Sequence, residues 1–372
     1  MHISIIGRIK NFRKKLFADI TVVPDALDQS YYPSLNGLRG IAIISVLLGH
    51  IGREKSWLTY IDGAVGVHIF FILSGFLITT LLLKEKIKKS HVSLKKFYIR
   101  RALRIIPVAY LFLITLIILN CFFSLKITPA SFLISFAFLK NIPPHVEWYT
   151  AHFWTLSIEE QFYLFFPIFI ISSSNRYINL TIFLLVLIPV IDYLGFNNVS
   201  VFYTNKIIHT ITFVLIALID KGTAYILTGS LFSILLFKGF LKFNRLCQYR
   251  YLSFFLFIAA ACIHFFSSVP YLSGCVFAIL IGLVLVLNLT EDNFLTLFLR
   301  TPLLNWLGTL SYSLYIWQQI FTVYQPWAGR FAYADSIVLN LVLLFITAYC
   351  SYNFFEKKFL KLKDRFEPLY NK

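Results

Sequence analysis

The chain alternates long apolar stretches with short polar breaks that are mostly basic. A helix crossing a bilayer core needs about 20 apolar residues. Runs of that kind occur at 37–56, 64–83, 105–124, 152–174, 179–195, 222–241, 251–269, 271–290, 303–325 and 336–356. Two further apolar runs, 131–139 and 207–219, are too short to cross and read as interfacial or re-entrant. The predicted fold is therefore all-α, a polytopic membrane bundle of about ten transmembrane helices. Ahead of it, residues 1–34 interleave Arg8, Lys10, Arg13, Lys14 and Lys15 with Ile5, Ile6, Ile9, Phe12 and Leu16 and lack the apolar core of a signal peptide. That segment predicts an amphipathic helix lying on the inner leaflet. Residues 35–358 make the membrane domain and 359–372 a basic tail.

Charge sets the sidedness. Residues 84–104, read as a loop, hold Lys84, Lys86, Lys88, Lys89, Lys95, Lys96, Arg100, Arg101 and Arg104 against Glu85 alone, which predicts a cytoplasmic connection. Counting onward through ten spans puts the Lys242, Arg245 and Arg250 turn, Arg300 and the tail from Lys357 to Arg365 on that same side. An eleventh span at 207–219 would put all three outside. Both termini are thus predicted to be cytoplasmic. Composition agrees, since 58% of residues are hydrophobic and 14% charged, against about 45–50% and about 25% in soluble domains. A secreted disulfide scaffold, a disordered regulator and an ordinary cytosolic enzyme are excluded. The 34 Lys and Arg outnumber the 17 Asp and Glu, a net charge of +17. They flank apolar runs rather than cluster on a solvated helix, so the partner they suit is anionic lipid, not nucleic acid. Cys121, Cys247, Cys262, Cys275 and Cys350 have no ligand spacing, predict no metal site and read as small core residues.

Charge inside hydrocarbon costs about 2.5–3.5 kcal/mol per residue on insertion scales, which makes every ionisable residue in a span a candidate for function. In the first span Arg39 and His50 are eleven residues apart, about 16 Å along the axis and close to three full turns, so they share a face. In the fourth, Glu159 lies four residues from Thr155 and Tyr163 and seven from His152, forming one polar stripe, while Glu160 is rotated by about 100°. His50 and Glu159 reach similar depths and are expected to meet. Arg100, Arg101 and Arg104 precede Pro107 as a cluster of planar cations suited to phosphate. Structural roles stay open for each group: Arg39 snorkelling to lipid, His50 as a buried hydrogen-bonded ring, the glutamates in a packing salt bridge, the arginines as a positive-inside anchor.

Four ordered motifs bring these residues together. They are Leu35-Asn36-Gly37-Leu38-Arg39-Gly40 with His50; Gly66-Val67-His68-Ile69-Phe70-Phe71-Ile72-Leu73-Ser74-Gly75-Phe76; Arg100-Arg101-Ala102-Leu103-Arg104-Ile105-Ile106-Pro107; and Phe153-Trp154-Thr155-Leu156-Ser157-Ile158-Glu159-Glu160-Gln161-Phe162-Tyr163. Gly308-Thr309-Leu310-Ser311-Tyr312-Ser313-Leu314-Tyr315-Ile316-Trp317 and Ser351-Tyr352-Asn353-Phe354-Phe355-Glu356-Lys357 continue the pattern. In this the chain resembles the membrane-bound acyltransferase-3 proteins, which acylate cell-surface sugars and related acceptors. It departs from them at His68, where relatives often carry Asp, at Gln318, where they often carry His, and at Lys358, where they often carry Pro.

The resemblance implies a multi-pass protein of the bacterial cytoplasmic (inner) membrane with no permanently bound cofactor. It implies acyl-CoA, most commonly acetyl-CoA, as co-substrate and a lipid-linked or surface glycan, lipopolysaccharide among them, as acceptor. Many relatives carry an extracytoplasmic hydrolase-like domain, and a stand-alone transferase is expected here. In this scheme Arg39, Arg100, Arg101 and Arg104 bind the donor's phosphates. His50 is the general base, with an acyl-carrier role as the alternative, and Glu159, then Glu160, orients it. Ser74, Tyr163, Tyr312, Trp317 and Gln318 support the site. The rival reading is a transporter or flippase of a charged lipid-linked substrate.

Overall fold

The computed structural model describes residues 5–51, 62–142, 147–196, 205, 208, 221–241, 249–266, 270–289 and 292–366. Among them all regular structure is helical. In chain order the helices are α1 (Ile5–Leu16), α2 (Pro33–Ile51), α3 (Ala64–Lys89), α4 (Leu94–Phe123), α5 (Pro129–Phe136), α6 (Trp148–Ala151), α7 (Phe153–Ser172) and α8 (Ser174–Phe196), then α9 (Lys221–Phe237), α10 (Leu252–Phe266), α11 (Pro270–Leu287), α12 (Phe294–Leu299), α13 (Pro302–Phe321) and α14 (Ile337–Cys350). A π-helical stretch, Ser351–Glu356, joins α14 to α15 (Lys357–Asp364). Local sequence explains several ends. Ser93, Thr128, Asn293 and Ser336 cap the helices that follow them, each side chain accepting from a backbone N–H three residues on. Pro129 and Pro302 open α5 and α13 where no intrahelical donor is needed.

Every stretch expected to span falls on one of these helices. Five are long and apolar enough to cross a membrane: α2, α3, α4, α8 as far as Ile191, and the continuous stretch Ile337–Asp364. The short run at 131–139 becomes α5, an eight-residue helix about 12 Å long. The run at 207–219 and the residues Lys242 and Arg245 lie outside the described residues. Two expectations need correction. Residues 84–104 are not a loop: α3 runs on to Lys89 and α4 starts at Leu94, leaving Ser90–Ser93 as the connection. Lysine and arginine are good helix formers, so a basic flank prolongs a helix beyond the hydrocarbon instead of ending it. The cysteines are not core residues either, since Cys121, Cys262 and Cys350 are exposed on the outer faces of their helices and Cys275 is half-buried. A small weakly polar thiol is as acceptable against lipid as inside. Cys247 lies outside the described residues.

Small residues set how closely the helices approach. A Cβ on Gly75 of α3 would sit 1.8 Å from the Ile226 carbonyl oxygen, and one on Gly229 of α9 would sit 1.9 Å from that of Ile72. Around this contact Thr79 pairs with Ser230 at 2.6 Å and Thr80 with Ser233 at 2.8 Å, all four hydroxyls buried. On the other flank Gly37 and Gly40 of α2 meet the carbonyls of Leu299 and Leu304, and Gly308 of α13 meets that of Asn36. Backbone-to-backbone packing of this kind joins helices where apolar burial offers no drive. Gly75→Val should accordingly weaken the fold by the ~1–3 kcal/mol typical of overpacking. A thermal melt of the detergent-solubilised protein should drop, whereas Ile118→Val, on an exposed face of α4, should leave it in place.

The order of these contacts fixes helix directions. Numbers rise together along α3 and α9 (Thr79 with Ser230, Thr80 with Ser233) and along α2 and α13 (Arg39 with Ser311, His50 with Gln318). They also rise together along α3 and α7, where Ser74 meets Glu159 and Lys86 meets the Ile171 carbonyl. These pairs run parallel. α2 and α3 run antiparallel, Gly66 lying on Ala42 and Gly63 on Val46.

The N-terminal segment is not an appendage. Leu27 is fully buried, Asp28 accepts from Lys88 of α3 at 2.5 Å, and Lys15 and Lys238 donate to the carbonyls of Gly239 and Ala18. The ammonium of Lys88 holds the Asp28 carboxyl below its ordinary pKa.

Candidate active site

Where α2, α4 and α13 begin, a cavity of about 420 Å³ opens between α2, α3, α4, α7, α13 and the π-helical stretch. Three cations face it. Arg39 donates through Nη2 to Ser311 Oγ at 3.1 Å, and Ser311 in turn donates to the Gly308 carbonyl at 2.8 Å. Arg101 and Arg104, three residues apart and therefore on one face of α4, form the facing wall. The Arg101 guanidinium lies over Tyr163 at 5.4 Å and over Phe97 at 5.9 Å from the ring centroids, stacking that only a planar cation provides. Arg100 is turned away: it pairs with Glu85 Oε2 at 2.9 Å and donates to the Phe366 carbonyl at 2.8 Å. Of the four arginines expected to bind the donor it is the one that does not line the cavity. One residue is about 100° of helix rotation, which sends Arg100 toward α3 and the end of the chain.

Two carboxylates face the arginines. Glu159 accepts from Ser74 Oγ at 2.9 Å and from Tyr163 OH at 3.3 Å. Thr155, Glu159 and Tyr163 line the cavity as the stripe on α7 predicts. His152 leaves that stripe. It is 3% exposed, packs among Phe112, Phe153 and Tyr315, and neither ring nitrogen has a hydrogen-bond partner. The second cavity carboxylate is Glu356, which accepts from Ser313 Oγ at 2.6 Å. The sequence reading passed over it, although a lone acid inside the run 336–356 carries the same signal that singled out Glu159. The π-helical stretch turns it inward, a device frequent at functional sites. Tyr31 and Tyr32, from the segment before α2, also reach the cavity. Glu160 does not line it, and its Oε1 is buried without a hydrogen-bond partner.

His50 lies outside the cavity wall, near the far end of α2. Its Nδ1 is 2.5 Å from Gln318 Oε1, and Trp148 stands edge-on to its ring at 5.4 Å. The expected contact of His50 with Glu159 is not made, because each is committed to other partners. Helical rise gives depth in the bundle but not lateral position, and α3 packs against both α2 and α7. Of the remaining supporting residues, Tyr312 donates to the Ile105 carbonyl at 2.7 Å. Trp317 packs edge-on against Phe112, its Nε1 buried without a hydrogen-bond partner. His68 stacks on Tyr225 at 4.0 Å and lies edge-on to His264, and it does not line the cavity. Among the described residues there is no group of side chains that could hold a metal.

This arrangement ranks the two adjacent glutamates. Glu159→Gln keeps an acceptor for Ser74 but removes the carboxyl group that shares the cavity with Arg39 and Arg101. A loss of about tenfold or more in activity is expected, the scale of a hydrogen bond to a charged group. Glu160→Gln removes a carboxylate oxygen that has no hydrogen bond and should cost less than about threefold. The reverse order in an activity assay would reassign the acidic role.

The sequence profile described as an acyltransferase domain matches residues 32–355, a span that takes in the cavity arginines, Glu159 and His50 and stops just short of Glu356. The "Peptidoglycan O-acetyltransferase OatA" of Listeria monocytogenes is 27% identical, the match covering 88% of this chain and 56% of that protein. The "Putative peptidoglycan O-acetyltransferase YrhL" of Bacillus subtilis is 28% identical, with 88% and 54% covered. A "Putative O-acetyltransferase" of Staphylococcus aureus is 36% identical over a shorter match, 38% of this chain and 25% of that protein. The chain thus spans about half the length of the Listeria and Bacillus proteins. No solved structure matches. With the ordered motifs and the profile in agreement over most of its length, the chain belongs to the acyltransferase-3 family.

Proposed function

We propose that the protein is a membrane O-acyltransferase that moves an acyl group, acetyl foremost, from cytoplasmic acyl-CoA to a hydroxyl of a cell-envelope glycan. The observation that carries this reading is the convergence of Arg39, Arg101 and Arg104 on one cavity that also has an apolar stretch of wall, Val67, Phe70 and Phe71 among its residues. Arginines suit the donor's phosphates, and the apolar wall suits its pantetheine arm. The names of the Listeria and Bacillus relatives favour peptidoglycan over a lipid-linked glycan as the acceptor.

Ten spans with both termini cytoplasmic belong to this reading, and the parallel pairs support it. An even number of crossings must separate α3 from α9 and α2 from α13, which holds when 207–219 does not cross. The basic ends of α3, α4 and α15 then share the cytoplasmic side, and the bacterial cytoplasmic membrane is the compartment. In the chemical step His50 takes the proton of the acceptor hydroxyl as its oxygen attacks the thioester carbonyl. The C–O bond forms, the C–S bond breaks, and the imidazolium returns its proton to the thiolate.

The test is thiol release. Proteoliposomes holding the full chain, supplied with acetyl-CoA and soluble peptidoglycan fragments, should release free CoA thiol in step with acetylated fragments found by mass spectrometry. Neither product would appear if the protein were a transporter. Thiol release without acetylated fragments would leave the donor reading standing and remove peptidoglycan.

A further inference from the structure

We propose that Gln319 and Gln318 form a positioning relay that fixes which nitrogen of His50 carries the hydrogen, Nδ1, so that the lone pair of the neutral ring sits on Nε2. This rests on the reading of His50 as general base, and it adds two residues of α13 to the machinery.

The relay starts at a group whose polarity cannot be reversed. The Trp148 backbone carbonyl only accepts, so the amide atom of Gln319 that lies 2.6 Å from it is the donor, Nε2. Trp148 Nε1 donates in return to the Gln319 carbonyl at 3.0 Å, closing a clamp between α6 and α13. Gln319 must then turn Oε1 toward Gln318, and Gln318 answers with Nε2 at 2.8 Å. That leaves Gln318 Oε1 pointing at His50 Nδ1, 2.5 Å away. A carbonyl oxygen only accepts, so Nδ1 carries the hydrogen and Nε2 of the neutral ring carries the lone pair. Thr322 Oγ1 lies 3.0 Å from the Gln318 backbone carbonyl and 3.3 Å from Oε1, so a donor group also lies beside that oxygen.

Burial makes the orientation binding. Gln318 is 0% exposed and Gln319 1%, so no bulk water competes for either amide. Flipping one would set N–H against N–H and oxygen against oxygen in a low-dielectric interior, where each unpaired group bears its full desolvation cost. The edge of Trp148 restrains rotation of the imidazole. Through the reaction Nδ1–H keeps its bond to Gln318 while Nε2 gains and then releases the proton. The supporting contact therefore need not reorganise as charge develops. In the other tautomer Nε2 has a hydrogen where the acceptor hydroxyl needs a lone pair.

The relay is tested with the full chain in detergent micelles, ¹⁵N-labelled at histidine, the His50 signals being assigned by their loss in His50→Gln. Long-range ¹H–¹⁵N correlations of the neutral ring should show Nδ1 protonated in the wild-type protein. Gln319→Met, close to isosteric, frees the Gln318 amide to flip. The Nδ1–H pattern should become mixed or reversed, and kcat should fall at least about tenfold, within the range of general-base contributions. KM for acetyl-CoA should not move.

Adding Gln318→Glu to Gln319→Met supplies an acceptor-only partner that needs no relay. It should restore the Nδ1–H pattern and bring kcat back to within about threefold of the wild type. The acid limb of the pH profile should move to higher pH, because a carboxylate stabilises the imidazolium. A purely structural role for these glutamines does not predict that a second substitution repairs the first. Wild-type His50 protonated on Nε2, Gln319→Met with unaltered tautomer and kcat, or a double variant no better than the single would each overturn the relay. A fully active His50→Gln would instead remove the base reading and leave the tautomer result to stand alone.

Discussion

His50→Ala should abolish acyl transfer while the protein still inserts and accumulates. General-base catalysis contributes roughly 10²–10⁴-fold, and no other described imidazole is placed to replace it: His152 is sealed among aromatic rings, His68 stacks on Tyr225, His264 pairs with Asp62, and His91 is exposed beside the Lys89 carbonyl. The substitution adds no charge to the membrane and takes from Gln318 a single hydrogen-bond donor, a loss of about 1–3 kcal/mol at a buried acceptor. Folding should survive, as judged by expression and by the elution volume of the solubilised protein. The measurement is acetylation of peptidoglycan fragments in proteoliposomes, with thiol release followed in parallel. Near-normal acetylation would remove His50 from the chemistry.

Arg101→Ala and Arg104→Ala should each raise KM for acyl-CoA by about tenfold or more, since a hydrogen bond to a charged group is worth about 1.5–3 kcal/mol. Arg39→Ala should do the same. Arg100→Ala should not, because that side chain is engaged with Glu85 and the Phe366 carbonyl. High ionic strength should reproduce only part of the Arg101 loss. Screening acts over about 8 Å at physiological salt on exposed charge, and Arg101 is stacked on Phe97 and Tyr163. The same site makes a demand on sidedness. Inside-out vesicles given acyl-CoA should be active, and sealed right-side-out vesicles given it externally should not. Equal activity from both would overturn the cytoplasmic donor site and the ten-span topology together.

Much of this site was legible because charge within an apolar run stands out whatever the fold. Arg39, Glu159 and Tyr163 were singled out in this way and do line one cavity, as do Arg101 and Arg104 from the basic flank. The same signal was present at Glu356 and was overlooked because that residue ends its run, where an acid is easily taken for the start of the tail. The cluster Arg100, Arg101 and Arg104 did not by itself say which two share a face, since Arg104 is i+4 from Arg100 and i+3 from Arg101. It is Arg101 and Arg104, at i, i+3, that share the cavity face, since both spacings are compatible with one stripe on a helix. The motif glycines at 37, 40 and 75 carry no charge signal, and only the carbonyls across from them reveal why no side chain fits there.

Sequence alone determined the helical class, the position of each apolar segment along the chain, the basic flanks and the polar faces of single helices. Those properties depend on composition and on a rise and rotation per residue that are the same in every α-helix. Only the tertiary structure decided which helices are neighbours. It separated His50 from Glu159, gave each its own partners, sent Arg100 to Glu85 and drew Glu356 and the segment before α2 into the cavity. Lateral order in a bundle follows from backbone carbonyls meeting glycines and from hydroxyl and amide hydrogen bonds between segments far apart in the chain, such as Asn36 with the carbonyl of Asn305, 269 residues on. Such contacts leave no period in the sequence that either helix could show by itself.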